Sequence, residues 1–160
     1  MPNNFSFRSG QVVLQKFRVE SSSIIEPGDM VFLDETVARP ASEMTWNTNL
    51  ATTQGDFAAM FLGIAHEQSG DGESTPISVD ISATSLYEFN VTSSTYDNGN
   101  TLGPEGASSE LLDQQLAYVG SGAQAIARAA EYAESMVTRL RVTFASAYTT
   151  SSSNTNAAIG

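Results

Sequence analysis

The chain has 160 residues, of which 41% are hydrophobic and 16% charged, with no cysteine and a formal charge of −11. That length suits one domain with a real core, since area scaling lets about two thirds of such a chain's surface be buried. The lack of cysteine excludes disulfides, thiolate metal sites and a thiol nucleophile, while no apolar run is long enough for a membrane helix and the acidic balance argues against nucleic acid or an anionic membrane as partner.

Residues 1–10 (MPNNFSFRSG) are expected to form an N-terminal arm, because Pro2, Asn3, Asn4, Ser9 and Gly10 favour irregular backbone while Phe5 and Phe7 seek burial. No secretory leader is expected, as no basic start followed by an apolar stretch opens the chain. Residues 11–19 predict a strand with Val13, Phe17 and Val19 inward and Lys16 and Arg18 outward. Glu26-Pro27-Gly28-Asp29 predicts a turn into a buried strand at Met30–Leu33. Residues 36–56, with the lone Trp46, predict a long connection with one short helix near Asp56–Met60.

Residues 60–66 predict another strand, in which Gly63 marks a bulge or a close backbone approach. A polar turn at 69–75 precedes the clearest alternation: Ile77, Val79, Ile81 and Ala83 against Ser78, Asp80 and Ser82, then Tyr87, Phe89 and Val91 against Glu88 and Asn90. The two runs predict a hairpin turning near Ala83–Ser85. Asp97-Asn98-Gly99-Asn100 predicts a tight turn, residues 105–113 a loop, and Leu116–Val119 a short strand. Alanine-rich residues 123–135 read as helix on propensity alone, although Ile126, Ala130 and Tyr132 make no wide apolar stripe. Leu140, Val142 and Phe144 then alternate as in a strand. The tail 146–160 has nine Ser, Thr or Asn residues and no charge, and is expected to be flexible or extended. The expected organisation is an arm (1–10), a mainly β domain (11–145) with at most one or two short helices, and a polar tail (146–160).

The chemistry-bearing residues are sparse. His66 is the only histidine and has no obvious serine partner, Lys16 is the only lysine, and no phosphate-binding or nucleophile-elbow motif occurs. The acids of Asp71-Gly72-Glu73 and Asp97-Asn98-Gly99-Asn100 lack EF-hand spacing, and turn formation accounts for both clusters. The expectation is a non-enzymatic protein with no catalytic residue, no metal and no cofactor.

Five segments together carry a resemblance: Pro27–Asp34, Phe57–Ala65, Ile77–Val91, Tyr96–Pro104, and Ala125–Ala130 with Val137–Phe144. In that order they resemble capsid decoration (cement) proteins of tailed bacteriophages, over roughly residues 11–145. The resemblance implies a small β-barrel, similar to the β-tulip of lambda-type head-decoration proteins, with residues 123–141 as strand–turn–strand turning at Glu134–Ser135. It also implies a homotrimer on the outer surface of the expanded head, in contact with the major capsid protein. The uncharged tail and the 36–56 connection depart from that pattern.

Charge runs unevenly along the chain: +3 over residues 1–19, −15 over 20–113 and +1 over 114–160. A basic start beside an acidic body makes Phe5, Phe7, Arg8, Lys16 and Arg18 the expected capsid or inter-subunit contacts. The alternative function is a carbohydrate- or receptor-binding β-module of a phage fibre or bacterial surface, with Trp46, Tyr87, Tyr96 and Tyr118 as stacking rings.

Overall fold

The structure, a computed structural model, describes residues 7–150. In chain order its strands are β1 (Phe7–Ser9), β2 (Leu14–Phe17), β3 (Met30–Asp34), β4 (Val37–Pro40), β5 (Phe61–Ala65), β6 (Ile77–Asp80), β7 (Leu86–Tyr96), β8 (Thr101–Ala107), β9 (Glu110–Tyr118), β10 (Ala127–Ala129) and β11 (Ala133–Phe144). Helix α1 (Leu50–Met60) lies between β4 and β5, and a single turn of helix, α2 (Ala147–Thr150), follows β11. The fold is thus mainly β with short helices, as expected, and contains a five-stranded barrel.

That barrel runs β7-β11-β10-β8-β9 and closes through a parallel pairing of β9 with β7, at Asn90–Gln115 and Val91–Leu116. Strand β1 adds to β7 beyond the reach of β9. The second sheet runs β2-β6-β5-β3-β4. Its two edges meet at a bridge between Val19 and Ala38, where the Ala38 N–H donates to the Arg18 carbonyl at 2.7 Å.

Strands β3 and β5 serve both layers, because side chains alternate across a strand, with the alternation in β5 offset by the slip in its pairing with β3. Met30, Phe32, Phe61 and Ile64 join the barrel core, while Val31, Leu62 and Ala65 join a second core with Phe17, Val19, Ile77 and Val79. A relay of rings ties the layers together: Phe32 to Phe57 at 5.9 Å, Phe57 to Phe61 at 5.6 Å, Phe61 to Phe144 at 5.8 Å and Phe144 to Tyr87 at 5.7 Å. Gly63 is the point of close approach: a Cβ there would overlap the Asp80 carbonyl oxygen of the adjacent β6. The pairing of β3 with β5 also slips beside Gly63, between Val31 and Phe32.

Several expectations are corrected. The runs 77–83 and 86–91 are not a hairpin, because β6 belongs to one sheet and β7 to the other. The polar face of β6 does not point to water: Asp80 is buried at the junction of the two sheets, where it accepts from Tyr87, and Ser78 is buried and donates to Glu67. Phe17 and Val19 are inward, but Val13 lies before β2 and is 48% exposed. The 36–56 connection is mostly regular, with β4, a 3-10 turn at Ala41–Glu43 and the start of α1. That helix begins at Leu50 because the Asn49 side chain caps it, accepting from the Thr52 N–H at 2.9 Å.

Residues 105–113 are no loop: β8 and β9 form a hairpin turning at Ser108–Ser109, both at positive φ (53° and 60°). Asn-Gly usually signals such a turn, so the serines concealed it. Residues 123–135 contain no α-helix. A 3-10 turn at Gly122–Gln124 leads to β10, and the chain reverses over residues 130–132, so Glu134 and Ser135 lie inside β11. Small residues suit this position because Ala127 and Ala129 point into a narrow, filled barrel. The Asp97–Asn100 turn is present, with Gly99 at φ 83°. The end of the expected arm is strand β1, and the start of the expected tail is helical, with Tyr148 set edge-on against Phe17 at 5.3 Å. Phe5, the rest of the arm and residues 151–160 lie outside the described residues.

Candidate functional site

Strand β1 and β2 carry the expected contact residues, and the acidic body has largely claimed them. Phe7 packs its ring on Tyr87 (5.6 Å) and His66 (6.3 Å). Arg8 forms an ion pair with Glu88 of β7. Lys16 pairs with Glu67 at 2.6 Å, and Ser78 donates to the same carboxylate oxygen. Those two donors hold the Glu67 carboxyl below the usual range, as Arg8 does for Glu88. Arg18 donates to the Thr36 hydroxyl at 2.8 Å and forms no ion pair among the described residues. Phe7 and Arg8 therefore sit together on β1, while Lys16 and Arg18 lie on and just after β2 of the other sheet.

Beneath Phe7 lies a buried polar group that spans the junction. The Tyr87 hydroxyl donates to Asp80 Oδ2 at 2.6 Å and accepts from His66 Nε2 at 2.7 Å. The phenol has one proton, so donation to Asp80 leaves His66 as the donor of the second bond. Asp80 Oδ1 also accepts from the Val13 and Ser82 N–H groups, at 3.1 and 3.0 Å. Burial, reinforced by Asp80, pushes the Tyr87 phenol far above its ordinary range, so it is a fixed donor rather than a base. Burial lowers the His66 imidazole, with Asp80 opposing. Tyr87 is only 2% exposed, so its hydroxyl works inside the protein as a link between the two sheets.

Two open clefts mark the acidic side. One, of about 500 Å³, is lined by Phe32, Met44 and Trp46 together with Asp34, Glu43 and Asp56. The other, of about 300 Å³, is lined by Glu26, Asp29, Glu43 and Asp113. Asp29 accepts from Gln114 Nε2 at 2.7 Å and from the Glu26 N–H at 2.9 Å, yet burial pushes its carboxyl up to about 6. Burial also raises Asp113, which accepts from the Ser42 N–H at 2.7 Å. Among the described residues no cluster of histidine and carboxylate side chains is arranged to hold a metal ion.

The rings expected to stack on a sugar divide: Tyr87 and Tyr96 are buried, which corrects their assignment, whereas Tyr118 is 60% exposed and Trp46 lines the larger cleft. The His66–Tyr87–Asp80 group and the Asp29–Gln114 pair were missed from sequence. Each joins segments of the two sheets that are far apart in sequence, with Asp29 just before β3 and His66 just after β5, and no spacing signals such a pairing. The chain matches no known protein family, and no curated protein matches it.

Proposed function

We propose that the chain is a non-enzymatic capsid decoration (cement) protein of a tailed bacteriophage, bound as a homotrimer to the outer surface of the expanded head and gripping the major capsid protein. The observation that carries this reading is β1. This three-residue strand lies at the edge of the barrel sheet and pairs only with β7 among the described residues. Among the described residues its second edge has no partner, which suits strand addition, a mode in which main-chain hydrogen bonds supply affinity and side chains such as Phe7 and Arg8 supply register. Lys16 and Arg18 extend the basic contact from the second sheet. A trimer with several such modest contacts would leave a shell slowly, because each rebinding is intramolecular.

The test uses expanded heads assembled without this chain. Purified protein is expected to bind them saturably, to be accessible to surface labelling, and to raise the temperature at which heads release DNA. Deletion of residues 1–10 is expected to lower occupancy while the thermal transition of the free protein stays cooperative. Absence of binding, or full occupancy by the truncated chain, refutes the reading.

A further inference from the structure

We propose that the cleft between β3, the 3-10 turn after β4 and the second half of α1 receives the arginine side chain of a protein partner. Its wall is amphipathic in the way a guanidinium and its stem require. Phe32, Met44 and Trp46 supply apolar and aromatic surface, and Asp34, Glu43 and Asp56 supply carboxylates around the same space of about 500 Å³. The charges there are out of balance. The guanidinium of Arg39 does not line the cleft and is shared: its Nε lies 2.9 Å from Asp34, and its two terminal nitrogens lie 3.0 Å from Glu43 and 3.7 Å from Glu20. Asp56 accepts from the neutral Asn47 amide at 2.9 Å.

Of the three carboxylates that line the cleft, Asp34 and Glu43 share Arg39 with Glu20 and Asp56 has no ion pair among the described residues, so the cleft keeps a negative potential that an incoming cation would relieve. Arginine fits better than lysine or a metal ion. A planar, weakly hydrated guanidinium can lie on an aromatic face and bond a carboxylate in fork geometry, whereas an ammonium holds its water more tightly. The larger apolar share of the wall would be of no use to a bare cation. This inference does not depend on the capsid reading, since any protein presenting an exposed arginine would satisfy it.

Trp46 is the only tryptophan, so its emission and its indole N–H resonance report on this cleft alone. The full chain is titrated, at physiological salt, with acetyl-Gly-Arg-Gly-amide and with its glutamine counterpart. A saturable Trp46 response to the arginine peptide is expected, with the glutamine peptide at least about tenfold weaker. Asp56→Asn is expected to weaken the arginine peptide by about tenfold, at an unchanged thermal midpoint. Equal responses to the two peptides, an undiminished response in D56N, or a response to a neutral oligosaccharide with none to the arginine peptide would each overturn the proposal. The resonance of the unsubstituted protein, measured against both peptides, needs no variant: if it stays still, the inference fails even where D56N does not fold.

Discussion

Nε2 of His66, the residue that follows β5 of one sheet, lies 2.7 Å from the hydroxyl of Tyr87 on β7 of the other. The contact is therefore a strut between layers, with Asp80 of β6 as its second foot. Replacing Tyr87 by Phe keeps the ring against Phe7 but leaves a buried carboxylate oxygen and a partly buried imidazole without this partner. Loss of such a bond costs about 1–3 kcal/mol. Y87F is expected to unfold at lower urea than the parent, and an unchanged midpoint would refute the role given to the hydroxyl.

His66 sets an acid-side dependence. Its pKa in the folded protein is lowered by burial, so the unfolded chain takes up the proton first. Stability is expected to fall as pH drops below the ordinary histidine value, and to stop falling on this account below the lowered one. Urea unfolding of H66Q, whose amide can still donate to Tyr87, is expected to lack that component between pH 7 and 5.

Asp29 acts in the opposite direction. Its carboxyl is raised from 3.8 to about 6, so the folded chain binds this proton first as pH falls, and stability from this group grows between about 6 and 4. The swing is at most about 3 kcal/mol, from 1.36 kcal/mol per unit. D29N, with the Gln114 amide turned over to accept, is expected to gain on the parent at pH 7 and to lose that advantage by pH 4. A pH-independent difference between the two proteins would show that the carboxyl is not raised.

Gly63 admits no side chain. A methyl group there meets main chain of β6 rather than a flexible side chain, so relief requires the strands to part. G63A is expected to cost about 3 kcal/mol or more, in the range of overpacked core sites. Calorimetry showing a transition within a degree of the parent would contradict the geometry.

The exposed basic residues separate stability from binding. The Arg8–Glu88 and Lys16–Glu67 pairs lie at the surface, where solvent screens them. R8Q, K16Q and R18Q are each expected to leave the thermal midpoint nearly unmoved, while the triple variant lowers occupancy on expanded heads. Undiminished occupancy would remove these residues from the contact.

Local pattern determined a good part of this protein. The apolar runs at 30–33 and 60–66 became strands covered on both faces, and the alternations at 86–91 and 140–144 became strands because a half-buried sheet selects period two. Pro-Gly and Asn-Gly became turns because their backbone preferences are local. Composition alone excluded a thiol site and a membrane helix.

What tertiary structure decided was the partner of each strand and the meaning of each polar residue. Ser78 and Asp80 have the pattern of a wet face, yet they are buried: β7 of the other sheet brings the Tyr87 hydroxyl onto Asp80, and Glu67 accepts from the Ser78 hydroxyl. The alanines of 123–135 favour a helix in isolation, but a narrow barrel needed a thin strand between β8 and β11, and closure outweighed propensity. The cleft around Trp46 assembles acids from positions 34, 43 and 56, carried by β3, the 3-10 turn and α1. Local propensity acts over a few residues and hydrogen bonding over a few ångströms. Sites built from distant segments therefore come into being only once the chain has closed its rings.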